Sequence, residues 1–146
     1  SGSLRSRKML RDASETEGPP LRKYFCDGND AVIYKVVRNF FAAVDRTLWR
    51  REEPGYIRKT IGVQALFDIL KQILPEALAQ KDVSEGYFQQ RLQTAQRVDF
   101  SDHFFQASGT GRTRIRTTLE IALRIVEPDD ISDSATYAKL IAGGKA

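Results

Sequence analysis

Residues 59–74 read Lys59-Thr60-Ile61-Gly62-Val63-Gln64-Ala65-Leu66-Phe67-Asp68-Ile69-Leu70-Lys71-Gln72-Ile73-Leu74, and this stretch decides the fold. Val63, Leu66, Phe67, Leu70, Ile73 and Leu74 recur at three- and four-residue spacing, the period of one face of an α-helix. That face is broad, which argues for burial in a core. Gln64, Asp68 and Lys71 then fall on the solvent side. Gly62 costs about 1 kcal/mol relative to alanine inside a helix, and a close helix crossing would account for it. Pro75 is expected to end the regular segment, because proline restricts the residue before it. Glu76–Lys81 can continue helically after a kink.

Working outward, the same period recurs on both sides. Ile33, Val37, Phe40, Val44 and Leu48 form a stripe, widened by Val36 and Phe41, and predict a core-facing helix from Ala31 to Arg50. Asp30 is its expected N-cap, since a carboxylate there accepts from unpaired amides. Pro54-Gly55 breaks the chain. Ser84 opens a third helix reaching Arg97, with Tyr87, Phe88, Leu92 and Ala95 inward. Residues 99–107 form a connection rich in Phe100, Phe104 and Phe105. A fourth helix is expected from Gly111 or Arg112 to Val126, carried by Ile115, Leu119, Ala122, Leu123 and Val126 and ended by Pro128. Ser132 or Ser134 caps a last short helix through Ile141, closed by Gly143-Gly144. No repeat or heptad run interrupts this pattern. The expected fold is all-α, a compact helical bundle or orthogonal array of four to six helices.

The chain of 146 residues suffices for one domain with a real core. Residues 1–20 read as a flexible leader or linker: basic positions Arg5, Arg7, Lys8 and Arg11 precede Asp12, Glu15, Glu17 and Pro19-Pro20. Ser1-Gly2-Ser3 reads as an expression remnant, and a piece cut from a longer protein is expected. Residues 21–146 then make a single helical domain, with Leu21–Phe25 as a first packed segment. No apolar run approaches the ~20 residues of a membrane span, and the start lacks the apolar core of a secretory signal. A protein without membrane partners, in a reducing cytoplasmic setting, is expected.

The lone Cys26 excludes an internal disulfide and a cysteine-cluster metal site within one chain. With His103 as the only histidine, a zinc site would need carboxylates or a second subunit. No metal and no cofactor is expected. His103 lies between Asp102 and Phe104-Phe105, yet no nucleophile motif stands nearby, so a surface or structural histidine is the simpler reading. Cys26 reads as a partly buried thiol beside Tyr24-Phe25. Asp27 and Asp30 do not make a calcium loop. Trp49 and Tyr56 can stack on a base or partner, but hydrophobic closure around Pro54-Gly55 is simpler. No catalytic residue emerges.

What remains is residues 107–116, Ala107-Ser108-Gly109-Thr110-Gly111-Arg112-Thr113-Arg114-Ile115-Arg116. Ser108, Gly109, Thr110 and Gly111 can form a turn exposing successive amides at the start of a helix, where an anion meets unpaired N–H groups. Arg112 and Arg116 lie on one helix face, while Arg114 points elsewhere. All three meet one anion only if the ligand wraps around the helix, as a DNA backbone would. The run is neither a P-loop nor a dinucleotide motif. A plain helix cap with solvent-facing arginines is the competing reading. Arg58 and Lys59, with Arg50-Arg51, flank the break before the second helix and are weaker candidates for phosphate contact, since Glu52 and Glu53 oppose them. The net charge of +4 is mild, but its distribution is uneven: Arg112, Arg114, Arg116 and Arg124 face only Glu120, and Glu127, Asp129, Asp130 and Asp133 follow. Such asymmetry can steer a negatively charged partner.

Lys59-Thr60-Ile61-Gly62-Val63-Gln64-Ala65-Leu66-Phe67 together with Ala107-Ser108-Gly109-Thr110-Gly111-Arg112 resemble the carboxy-terminal helical part of DGQHR-domain proteins, a group related to DndB-like proteins of DNA phosphorothioation and phage-defence neighbourhoods. The resemblance covers residues 30–126. The Asp-Gly-Gln-His-Arg motif that names the group is absent, so no family catalytic residue carries over. The resemblance implies a setting: a bacterial DNA-modification or defence protein. Three functional readings follow. The first is a nucleic-acid-binding accessory module using Ser108, Gly109, Thr110, Gly111, Arg112, Arg114 and Arg116, with Arg58 and Lys59 in support. The second is a protein-interaction or oligomerisation domain, which an exposed patch of Phe40, Phe67, Phe104 or Phe105 would favour. The third is a catalytic fragment completed by another part of a longer chain.

Overall fold

The computed structural model describes residues 30–106 and 109–143. The leader 1–20, the segment Leu21–Phe25, Cys26, Ala107, Ser108 and Gly144 lie outside the described residues, as does any partner of Asp30 that precedes it.

Five α-helices carry the fold, and among the described residues there is no strand. Helix α1 is Asp30–Val44, α2 is Thr60–Ala79, α3 is Glu85–Leu92, α4 is Gly111–Ala122 and α5 is Ser134–Ile141. Short 3-10 turns at Gly55–Arg58, Gln93–Ala95, His103–Gln106 and Pro128–Asp130 join them. Helix α1 packs chiefly on α3, α2 on α4, and α5 against α4. The all-α expectation therefore holds.

One core serves all five helices. Phe40, Leu66, Leu70, Phe88, Phe105 and Leu119 are fully buried within it. Phe40 meets Phe88 edge-on at a centroid distance of 5.5 Å, a favoured arrangement for aromatic pairs. Truncating such a ring to alanine costs about 3–5 kcal/mol.

Several boundaries differ from the sequence expectations, each for a local reason. Pro75 lies inside α2, which runs on to Ala79. Lys71 and Pro75 are both exposed, so water can take the carbonyl that proline leaves without a donor. The first helix does not continue regularly to Arg50. It passes into a π-helical turn, Asp45–Trp49, where the Thr47 hydroxyl donates to Ala43 O at 2.8 Å and the Arg50 amide reaches back five residues to Asp45 O at 2.9 Å. Ser84 caps α3 as expected, its Oγ accepting from the Tyr87 amide at 3.1 Å. That helix is shorter than predicted and tightens to a 3-10 turn at Gln93–Ala95.

Helix α4 stops at Ala122, well before Pro128. Arg124 takes a left-handed conformation (φ 61°), and the Ile125 amide bonds Glu120 O at 2.8 Å, the six-to-one bond of a Schellman end. At α5 neither Ser132 nor Ser134 caps. Asp133 (φ 63°) precedes the helix, and its carbonyl accepts from the Thr136 amide at 2.9 Å. Gly143 (φ 103°) follows the helix in the conformation expected of a closing glycine.

A candidate anion-binding end

The site follows from how α2 and α4 lie together. A Cβ at Gly111 would stand 2.7 Å from Phe105 O and 2.8 Å from Ile61 Cδ1, so only glycine lets the start of α4 sit this close to the His103–Gln106 turn, with the tip of Ile61 from the first turn of α2 beside it. Further along, Arg112 meets Asp68. Gln72 then donates to Glu120 Oε2 at 2.9 Å. Finally Arg91 joins Glu76 of α2 to Leu123 O at the end of α4. Contacts advance together along both helices, so α2 and α4 are parallel and their N-termini share one end of the molecule. Gly62 is explained here too. A Cβ at that position would collide with Ile57 O and Tyr56 O, so the close approach is to the preceding 3-10 turn and not to a crossing helix.

Parallel neighbours place like dipole ends side by side, which is unfavourable unless charge offsets them. The C-terminal end has that offset in Arg91, whose Nη1 donates to Leu123 O at 2.6 Å. The N-terminal end does not. Neither α2 nor α4 has an acidic residue in its first turn, and neither Lys59 nor Thr110 makes a side-chain cap. Cations stand there instead. Arg58 and Lys59 immediately precede α2 and are exposed, with Lys59 Nζ 5.0 Å from the centre of the Tyr56 ring. Gly109 (φ 79°) has open space around it, and Gly109 and Thr110 are exposed beside α4. The structure thus brings Arg58 and Lys59 to the same end as Gly109, Thr110, Gly111 and Arg112.

The three arginines of α4 are not alike. Arg112 grips Asp68 with two parallel bonds, Nε to Oδ2 at 2.9 Å and Nη2 to Oδ1 at 2.8 Å. Arg116 adds Nη1 to Oδ2 at 3.4 Å. Arg114 turns away: its Nη1 donates to Phe104 O at 2.9 Å, and its guanidinium lies 4.2 Å from the centre of the Phe104 ring. Arg114 therefore fastens the His103–Gln106 turn. Asp68, expected on the solvent face, is a site residue. Its carboxyl is held below the usual carboxylate range by the Arg112 hydrogen bond, against the opposing effect of burial and with help from the charges of Arg112 and Arg116. Nothing local in residues 59–74 marks it, because its partners lie 44 and 48 positions away.

Other candidates resolve as structural. Asp102 Oδ1 accepts from the Phe104 amide at 2.9 Å, and His103 Nδ1 is 3.0 Å from Gln106 Oε1, so the two do not pair. Trp49 Nε1 donates to Ile57 O at 3.1 Å, closing the Pro54-Gly55 corner. Arg51, a weaker candidate for phosphate contact in the sequence, is taken up by backbone carbonyls instead. Its Nη1 donates to Val98 O at 2.6 Å and its Nη2 to Gln96 O, and burial lowers its pKa against the raising effect of Asp99. Arg50 pairs with Asp45 at 2.9 Å. Of the four rings that would have formed an interaction patch, Phe40 and Phe105 are fully buried and Phe104 half-buried, leaving Phe67 exposed, its ring centre 4.9 Å from that of Phe41 with the planes tilted by 55°. An open cleft of about 470 Å³ beside α3 is lined by Arg46, Gln89, Gln90, Gln93 and Gln96 among others, and among the described residues its one cation, Arg46, pairs with Glu85 at 3.2 Å. Among the described residues no three His, Cys, Asp or Glu side chains are grouped to hold a metal, and no helix is long and apolar enough to cross a membrane.

No known protein family matches this chain, and neither does a curated protein or a solved structure.

Proposed function

We propose that this protein is a nucleic-acid-binding accessory module that contacts backbone phosphates through the shared N-terminal end of α2 and α4. The observation that carries the reading is the asymmetry of the parallel pair. One end is offset by Arg91; at the other, neither helix has a side-chain cap or an acidic residue in its first turn, and Arg58, Lys59 and Arg112 border it. Amides at helix starts and guanidiniums are complementary to phosphate oxygens. Contacts of this kind position a protein on nucleic acid and carry little base preference. Gly109, Thr110 and Gly111 supply the turn, Arg58, Lys59 and Arg112 the charge, and Arg116 a second guanidinium behind Arg112. Ser108 belongs to the same proposal by sequence. Arg114 acts as a fastener. The resemblance to DGQHR-domain and DndB-like proteins gives the proposed setting, a bacterial DNA-modification or phage-defence protein working in the cytoplasm.

The test is binding to labelled duplex and single-stranded DNA across a salt series, using wild type and an Arg58→Gln/Lys59→Gln/Arg112→Gln variant checked for folding. Three phosphate contacts give a log–log slope of about −2.7, roughly a 40-fold loss of affinity between 50 and 200 mM salt. The variant should lose this binding. Absence of binding by folded wild type at low salt would instead favour a protein-interaction domain, for which the Phe67–Phe41 surface is the remaining candidate.

A further inference from the structure

Asp68 occupies a place that a phosphate oxyanion would fill, and we infer that it is an internal competitor for the nucleic-acid backbone, released from Arg112 and Arg116 when a phosphodiester binds. This rests on the proposed nucleic-acid reading and adds regulation to the same site. The geometry is that of anion recognition: two parallel N–H···O bonds from Arg112 and a third from Arg116 on the same carboxylate. A guanidinium fork donates to carboxylate and phosphate oxygens in the same way. Two cations thus converge on one negative group, and an oxyanion of like charge can stand in for it.

Release is feasible because the arginines are open to water. The side chains of Arg112 and Arg116 are 47% and 34% exposed, whereas that of Asp68 is 14% exposed. Both guanidiniums reach solvent, so the arginines can swing outward while Asp68 stays on α2. Arg112 also keeps Nη1, and Arg116 keeps Nε and Nη2, outside the bonds to Asp68. An incoming phosphate can therefore engage a free donor before the carboxylate leaves. The consequence is self-screening: at rest the end presents one charge fewer than its arginines supply, which weakens binding to isolated or sparse phosphates and favours a continuous backbone.

The experiment compares wild type, Asp68→Asn and Asp68→Asn/Arg112→Gln/Arg116→Gln for duplex DNA binding across a salt series, with thermal melts confirming that each is folded. Asp68→Asn should bind about 5- to 10-fold more tightly at low salt, with a log–log slope steeper by about one, and the triple variant should lose the gain. In wild type, the Asp68 carboxyl ¹³C resonance should shift on adding DNA toward that of an unpaired carboxylate. Equal or weaker binding by Asp68→Asn, with wild type still binding, would overturn the competitor role and leave the nucleic-acid reading intact. No binding by either protein would overturn both.

Discussion

Arg91 Nη1 donates to Leu123 O at 2.6 Å across 32 residues of sequence, closing the end of α4 from the side of α3. Its Nε also lies 3.2 Å from Glu76 Oε2, so one side chain gathers the ends of three helices. The carbonyl bond is the stronger part. Leu123 is buried, and a buried carbonyl that loses a charged donor is left short of a partner. The Glu76 carboxylate is 47% exposed, and that pair contributes little.

Arg91→Met keeps most of the aliphatic stem and removes both contacts. It should lower stability by about 1.5–3 kcal/mol, the usual range for a hydrogen bond to a charged group. Glu76→Gln should cost less than about 1 kcal/mol. Urea unfolding of the two variants checks this. Equal losses would mean that the Glu76 pair, not the cap on α4, carries the effect.

Arg124 ends α4 in a left-handed conformation, φ 61°, that disfavours a side chain with Cβ. Its side chain is exposed, and among the described residues it makes no hydrogen bond or ion pair. Arg124→Gly should therefore stabilise the protein by about 1 kcal/mol, from the roughly 1–2 kcal/mol cost of that conformation. For a chain of this size the melting temperature should rise by roughly 3 °C. A drop in melting temperature would show that the guanidinium does more than the backbone argument allows.

The helices were readable because burial imposes a period on the sequence. Phe40, Val44 and Leu48 are buried as their spacing requires, as are Leu66, Leu70, Ile73 and Leu74, whereas Ile33 and Val37 are only half-buried and Val36, expected to widen the stripe, is fully buried. The edges of those faces were not readable. Helix α2 is apolar around much of its circumference, so nothing in the period tells that Phe67 sits at the exposed rim and that Ala65 and Ile69 are buried. Helix ends were hidden wherever a non-glycine residue took the left-handed turn, as Arg124 does. At the site, the Gly109–Arg116 run was visible as a flexible turn before basic positions. What it does depends on the parallel register of α2 and α4, which is set by core packing, with Gly111 fitted against Phe105 O and the tip of Ile61. Register of that kind leaves no local pattern, and so Asp68 passed as a surface acid.

Two helical glycines should respond to alanine with opposite signs. Gly86 lies in α3, where a Cβ would meet only Ser84 Oγ at 3.9 Å. Gly86→Ala should stabilise by about 0.5–1 kcal/mol through the lower entropy of the unfolded chain. At Gly111 the same methyl would press on the Phe105 carbonyl at 2.7 Å, a backbone atom that cannot step aside. Gly111→Ala should destabilise by about 1–3 kcal/mol, as overpacking does, and should shift the amide resonances of Ile61 and Phe105. Thermal melts and ¹⁵N–¹H spectra of both variants check the contrast. A Gly111→Ala protein as stable as wild type would show that the Phe105 backbone does not confine the start of α4.

Asp68 should leave a signature in the acid limb of stability. Its carboxyl is held down first by the hydrogen bond from Arg112, so the folded protein binds its proton less readily than the unfolded chain, where an aspartate titrates near about 3.9. The stabilisation is then fully present above that unfolded value and is lost as pH falls through the depressed folded value. Asp68→Asn has no such proton to bind. The stability difference between wild type and Asp68→Asn should be constant from about pH 7 to pH 5 and move against wild type as the pH is lowered below about 4. Chemical denaturation of both proteins at stepped pH measures it. A difference that stays flat across the acid range would mean that the Arg112 fork does not hold Asp68 ionised in solution, and the clasp between α2 and α4 would have to rest on apolar packing alone.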